Sequence, residues 1–127
     1  MPTIAKTPRI LTAINVYIID PANQQRLVNI LLEACDKVMN TFPGFISASV
    51  HRSTDGRRVV GYAQWRSRDD FEKMKETLQM QAFRKVINQL ADTDLHFYEV
   101  IDTFEANRQP GMERAVFPLR DIREQRR

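Results

Sequence analysis

The 127-residue sequence holds two histidines, one cysteine and one tryptophan, so each of its rarer side chains stands alone. His51 has the chemistry of a general base; at the end of a strand it equally suits a solvated or interface position. Trp65 is either a core aromatic or a flat wall for a ring-shaped substrate. Asn15 is a polar residue inside an apolar run, either a satisfied core amide or a substrate contact. Cys35 falls at helical spacing with Leu27, Leu31, Ala34 and Val38, the pattern of a small core residue rather than a nucleophile. His96 has no visible partner. Two His and one Cys supply no metal-ligand spacing, and no Gly-rich loop is present to cradle a nucleotide or flavin phosphate. The sequence therefore predicts neither a metal nor a cofactor.

These residues must be carried by a short series of elements. The β-branched run from Arg9 to Ile19 predicts a strand. Asp20-Pro21 is an N-cap followed by Pro at the first helical position, and the apolar spacing from Leu27 to Val38 predicts a helix over 21–40, stopped by Phe42-Pro43-Gly44. Phe45–Arg52 and Arg57–Trp65 read as strands joined at Ser53-Thr54-Asp55-Gly56. Ser67-Arg68-Asp69-Asp70 has the form of a capping box, and helical spacing runs from Phe71 to Leu90 with a break expected near Gln79–Gln81. His96–Phe104 predicts a last strand. The order β-α-β-β-α-β is the ferredoxin-like α+β pattern, with both helices on one face of a four-stranded antiparallel sheet.

Both strand faces carry apolar residues. Ile14, Val16 and Ile18 oppose Ala13, Asn15, Tyr17 and Ile19 in the first strand, and nothing further in the chain is available to cover a second sheet face. A homodimer packed sheet on sheet resolves this. The hairpin decides which faces align, because a one-residue slip swaps them. One register sets Arg52 opposite Val59 and Val50 opposite Gly61. The alternative, with a loop that starts at Ser53 and has Gly56 left-handed, sets His51 opposite Val59. The second is preferred here. It groups Ile46, Ala48 and Val50 with Val60 and Tyr62 on the outer face, and gathers Ser47, Ser49, His51 and Trp65 under the helices.

The segment Phe42–Met74, FPGFISASVHRSTDGRRVVGYAQWRSRDDFEKM, resembles the antibiotic biosynthesis monooxygenase family, and especially its anthrone oxygenases. The resemblance rests on Pro43-Gly44-Phe45, Ser47-Ala48, His51, Ser53, Asp55-Gly56, Val59-Val60 and Tyr62-Ala63-Gln64-Trp65, and extends over about 9–91. It implies a dimeric α+β barrel of ferredoxin-like protomers. Those oxygenases are similar in having Trp at Trp65 and Arg at Arg84; they carry Asn where this chain has Gly61 and Tyr where it has Phe71. Gly61 cannot hydrogen-bond through a side chain and Phe71 cannot transfer a proton. Haem-degrading relatives have their iron-ligating His at about the position of Ile87, and no His occurs from Gly56 to Asp94, so the resemblance implies no haem.

The resemblance implies Trp65 as wall and Arg84 as anion stabiliser; His51 is the expected base from its own chemistry, and Asn15, Tyr17, Gly61 and Phe71 are expected to contact substrate. The reaction expected is cofactor-independent oxidation of a small aromatic such as an anthrone or quinol by molecular oxygen. The alternative is a non-catalytic dimeric barrel that binds a small ligand. Composition is consistent with either: 43% hydrophobic and 28% charged residues suit one globular domain. The net charge of +3 is too small to argue for nucleic acid. It lies in an Arg-rich tail, 108–127, expected to contact a partner subunit, after a domain over 9–107 and a leader over 1–8. No apolar run approaches the ~20 residues that span a membrane, and one cysteine suits a reducing cytoplasm.

Overall fold

The computed structural model describes residues 10–107; the leader and the tail lie outside the described residues. Strands β1 (Leu11–Ile19), β2 (Phe45–Arg52), β3 (Arg58–Trp65) and β4 (Ala91–Tyr98) form one antiparallel sheet in the order β2-β3-β1-β4. Helices α1 (Gln24–Lys37), α2 (Arg68–Lys75) and α3 (Leu78–Leu90) complete the expected ferredoxin-like arrangement. No helix among the described residues is long and apolar enough to cross a membrane.

The predicted caps form, and the boundaries shift. Asp20 accepts from the Ala22 N–H at 2.9 Å, but it opens a 3-10 turn, Pro21–Asn23, before α1 begins. Ser67 caps α2 by accepting from the Asp70 N–H at 3.1 Å. The break between α2 and α3 falls earlier than Gln79, because Thr77 accepts from the Met80 N–H at 3.1 Å and starts a new helix. β4 runs from Ala91 rather than His96 and ends at Tyr98. Its own composition is poor for a strand, with Asp92 and Asp94, but β1 pairs with it along its whole length, from Ile19 opposite Ala91 to Thr12 opposite Tyr98. Pairing overrides propensity there.

The hairpin register differs from the preferred one. Arg52 lies opposite Val59 and Val50 opposite Gly61. Gly56 is left-handed as expected, with φ +83°. The turn nevertheless takes in Arg57. Asp55 accepts from the Arg57 N–H at 3.0 Å, and the Ser53 hydroxyl accepts from the Arg58 N–H at 2.9 Å, so the ladder resumes only with Arg58. Gln24, at the start of α1, closes the same site by donating to the Ser53 and Arg58 carbonyls, each at 3.0 Å. This register puts Ala48 and Val50 on the helix side and His51 on the open side, the reverse of the expectation. A bulge at Ile46 then lets Phe45 oppose Trp65 on the helix side while Ser47 opposes Gln64 on the other.

The helix side holds two buried clusters. Trp65, Ala13, Ala34, Val38, Phe71, Met74 and Met80 occupy one end, and Leu27, Leu31, Tyr17, Ile19, Val59 and Ile87 the other. On the open face Ile14 pairs with Tyr62 and Val16 with Val60, all half-buried.

Gly44 immediately precedes β2, and its carbonyl accepts from the Arg66 N–H at 2.7 Å just before α2. Its φ is +88°, and a Cβ there would stand 2.4 Å from Asp70 Oδ2. Gly44→Ala is expected to lower stability by about 1–3 kcal/mol from the left-handed backbone alone, with the clash added. Gly56→Ala, whose Cβ would meet Pro21 at 3.4 Å, is expected to cost less. Urea denaturation of the two variants checks the order.

Candidate active site

A hollow forms at mid-sheet because the residues there are small. Ala13, Ala63 and Ala48 lie side by side across β1, β3 and β2, and Gly61 sits beside Asn15 and Val50 in the next row on that face. With side chains this short, the helices cannot close on the sheet, and a cavity of about 310 Å³ remains between them. That size suits a small organic molecule.

One end of the cavity is backed by a row of aromatic rings. Phe45 meets Trp65 edge-on at 5.3 Å, Trp65 meets Phe71 at 6.1 Å, and Phe71 meets Phe97 at 5.2 Å. Phe71 lines the cavity; Trp65 does not. Trp65 is fully buried one layer behind, and its Nε1 has no hydrogen-bond partner among the described residues. The expected wall for a ring is therefore Phe71, with Trp65 setting its position.

The structure brings Asn15, Tyr17, Gly61, Phe71 and Arg84 together around the cavity. His51 is not among them. It is exposed on the open sheet face, where its Nε2 lies 2.8 Å from the Ser49 hydroxyl. The register described above is the reason, and it removes the geometric basis for His51 as a base under the helices. His96 pairs with Asp94 at 2.8 Å, likewise exposed. Lys75, Asn88 and Thr93 also line the cavity and escaped the sequence reading. A signal for Asn88 was present: Met80, Arg84, Ile87 and Asn88 fall at i, i+4, i+7 and i+8, one helical stripe that mixes buried and polar residues.

Polar groups in an apolar hollow acquire unusual properties. The Asn15 Oδ1 is buried and has no hydrogen-bond partner among the described residues, so an acceptor stands ready for a ligand donor. Burial pushes the Tyr17 phenol up to about 12; the neighbouring Cys35 thiol adds to the rise and the Arg84 guanidinium opposes it. Tyr17 is therefore an O–H donor at any ordinary pH. A Cβ on Gly61 would meet the Tyr17 ring at 3.7 Å, an ordinary van der Waals contact, so the ring lies directly over this row of the sheet. Among the described residues, no group of three His, Cys, Asp or Glu could hold a metal ion.

With this geometry established, comparison with known proteins is decisive. Residues 10–86 match the model of the antibiotic biosynthesis monooxygenase family. The chain belongs to that family. It is 34% identical over 111 residues to the tetracenomycin-F1 monooxygenase of Streptomyces glaucescens, which covers 87% of this chain and 99% of that protein. Among solved structures, the ActVA-Orf6 monooxygenase of Streptomyces coelicolor, in complex with nanaomycin D, superposes with a TM-score of 0.68 at 26% identity over 79% of this chain and 95% of its own. SnoaB, a cofactor-independent oxygenase of Streptomyces nogalater, has the same fold, with a TM-score of 0.66 at 16% identity, covering 75% of this chain and 96% of its own. The resemblance read from Phe42–Met74 is borne out, and monooxygenation is the activity that membership carries.

The phenol of Tyr17 makes a measurable contribution to stability. Its unfolded value is near 10 and its folded value near 12, so the contribution is whole below pH 10 and is lost as pH rises toward 12. A shift of this size corresponds to about 2–3 kcal/mol. Urea midpoints between pH 9 and 12 are expected to fall more steeply for the wild type than for Tyr17→Phe.

Proposed function

We propose that the protein is a cofactor-independent monooxygenase that oxidises a polycyclic aromatic phenol or anthrone, and that it works as a homodimer in the cytoplasm. The observation that carries this reading is that Arg84 and the Tyr17 phenol line one cavity with largely apolar walls. In such chemistry the substrate is both reductant and fuel. An anthrone methylene loses a proton to give a delocalised enolate, which passes an electron to dioxygen. Recombination forms a carbon-bound hydroperoxide, and loss of water leaves a quinone carbonyl. The methylene gives up four electrons; one oxygen atom enters the product and the other leaves as water.

The protein has to favour the enolate and shelter it from water. Arg84 supplies fixed positive charge for it, and the Tyr17 O–H is the donor for its oxygen. The Asn15 Oδ1 accepts from a ring hydroxyl and orients the substrate against Phe71, which Trp65 supports from behind. Among the described residues the cavity lining includes no Asp, Glu or His, so the proton is lost to bulk water as the substrate enters, before the site is closed off, and Arg84 strengthens the substrate's acidity. Gly61 and Phe71, in place of an Asn and a Tyr, shift the polar work onto β1. The second subunit covers Ile14, Val16, Val60 and Tyr62, and His51 then belongs to the interface rather than to the chemistry.

Oxygen uptake with anthrones and quinols tests the reading. Arg84→Ala is expected to lower turnover ~100-fold or more while remaining folded. Phe71→Ala is expected to act through packing, by about 3–5 kcal/mol of stability. No uptake by the wild type across anthrones, quinols and naphthols would sink the proposal. For the dimer, sedimentation velocity at micromolar concentration is expected to show two subunits for the wild type and one for Val16→Glu.

A further inference from the structure

Helical spacing reads Cys35 as a small core residue, and the oxidation proposed above gives it no task. In the structure its side chain is half-buried and lines the cavity, one turn after Leu31 on the same stripe of α1. Its thiol donates to the Met39 thioether at 3.8 Å, a weak bond between two soft sulfurs. Met39, Met74 and Met80 line the cavity too, so every sulfur among the described residues borders this one space. Sulfur packs favourably against aromatic rings.

The polar groups near Cys35 suit a ring that bears carbonyls. Tyr17 is 7% exposed, lines the same cavity, and its hydroxyl has no hydrogen-bond partner among the described residues. It therefore has a proton to donate and only a ligand to receive it. The phenol lies within electrostatic reach of both the Cys35 thiol and the Arg84 guanidinium, which brings a nucleophile, an O–H donor and a cation to one part of the cavity. The described lining holds the cations Arg84 and Lys75 and no carboxylate. Positive surroundings at a partly exposed thiol favour the thiolate, the form that attacks carbon.

We propose that Cys35 is a covalent capture site for 1,4-quinones whose ring edge still carries hydrogen, such as a naphthoquinone, and that the adduct closes the cavity to further substrate. One quinone carbonyl accepts from the Tyr17 O–H, and the sulfur adds to the ring carbon conjugated with that carbonyl. The S–H bond breaks and a C–S bond forms; the ring π electrons move onto the hydrogen-bonded oxygen, which takes up a proton in place of the one the thiol gave up. The hydrogen of the attacked carbon then moves as a proton to the second oxygen. The bound ring is thereby a hydroquinone, and no outside oxidant or reductant enters. The Asn15 Oδ1, buried and without a partner among the described residues, has an O–H of that hydroquinone to accept. A quinone fused on both edges has no such hydrogen and escapes capture. The inference rests on the proposed function only for the origin of the quinone: an anthrone yields a product that leaves, whereas a naphthol with an open edge yields one that shuts the enzyme down.

Labelling with a preformed quinone separates the two ideas, because it needs no turnover. The full chain is treated with 1,4-naphthoquinone without oxygen, and intact mass and peptide mapping read the adduct. One naphthoquinone is expected per chain, on Cys35, and none on Cys35→Ser. The competitor 2,3-dimethyl-1,4-naphthoquinone has the same shape but a blocked edge; at ten times its dissociation constant it is expected to slow labelling roughly tenfold. Tyr17→Phe is expected to slow labelling by naphthoquinone roughly fivefold to tenfold while leaving the rate with iodoacetamide, which needs no carbonyl donor, unchanged. Absence of a Cys35 adduct in the wild type would overturn the inference, and so would labelling indifferent to the blocked competitor, the mark of a thiol that reacts outside the cavity. Failure of oxygen uptake would leave the labelling standing and would overturn only the oxygenase reading.

Discussion

Arg52 opposite Val59 is the pairing on which the rest of the molecule turns. Side chains alternate across a sheet, so moving β2 by one residue would exchange its two faces. Ser47, Ser49 and His51 would then lie under the helices, and Ala48 and Val50 would face outward. Three side chains prevent this. Ser53 and Asp55 take up the N–H groups of Arg58 and Arg57 inside the turn, and Gln24 reaches from α1 to the carbonyls of Ser53 and Arg58. The Gln24 amide is buried, so each of those bonds is made in a setting where leaving it unmade would cost about 1–3 kcal/mol. The start of one helix thereby fixes the faces of two strands.

Given that register, the cavity follows from side-chain volume. Alanines abreast on three strands and one glycine beside them leave space that the helices bridge rather than fill, because the bulky residues are at the two ends. Trp65 and the phenylalanines hold one end and Leu27, Val59 and Ile87 hold the other. The same packing sets the electrostatics. A hollow with apolar walls amplifies every charge and dipole aimed into it, which is what the roles proposed for Tyr17, Asn15 and Arg84 draw on.

Much of this was legible in the residues. Element order, the caps at Asp20 and Ser67 and the left-handed Gly56 follow from local chemistry, and local chemistry survives folding; the family was read from the resemblance over Phe42–Met74. What escaped depends on partners distant in sequence. Whether Arg57 belongs to the turn is settled by Asp55 and confirmed by Gln24, whose role no spacing reveals. β4 starts at Ala91 because β1 pairs it there, against the preferences of Asp92 and Asp94. Trp65 has the composition of a substrate wall, yet Phe45 and Phe71 enclose it on the helix side. Lys75 was invisible as a pocket residue because a lysine at a helix end usually faces water, and only the position of Phe71 one turn back argues otherwise.

The place of β1 in the sheet has a consequence for how the protein comes together and how it yields. β1 is flanked by β3 and β4, the first about forty residues away in sequence and the second about seventy, so its hydrogen bonds close the largest loops in the chain and form late. Asn15 and Tyr17 are carried on that strand. Their amides should exchange with solvent only through global unfolding, whereas the ends of α2 and α3 around Thr77 can open locally. The strand side of the cavity is therefore its rigid template. Accommodation of ligands of different width falls to the two short helices, which can shift without breaking a single rung of the sheet.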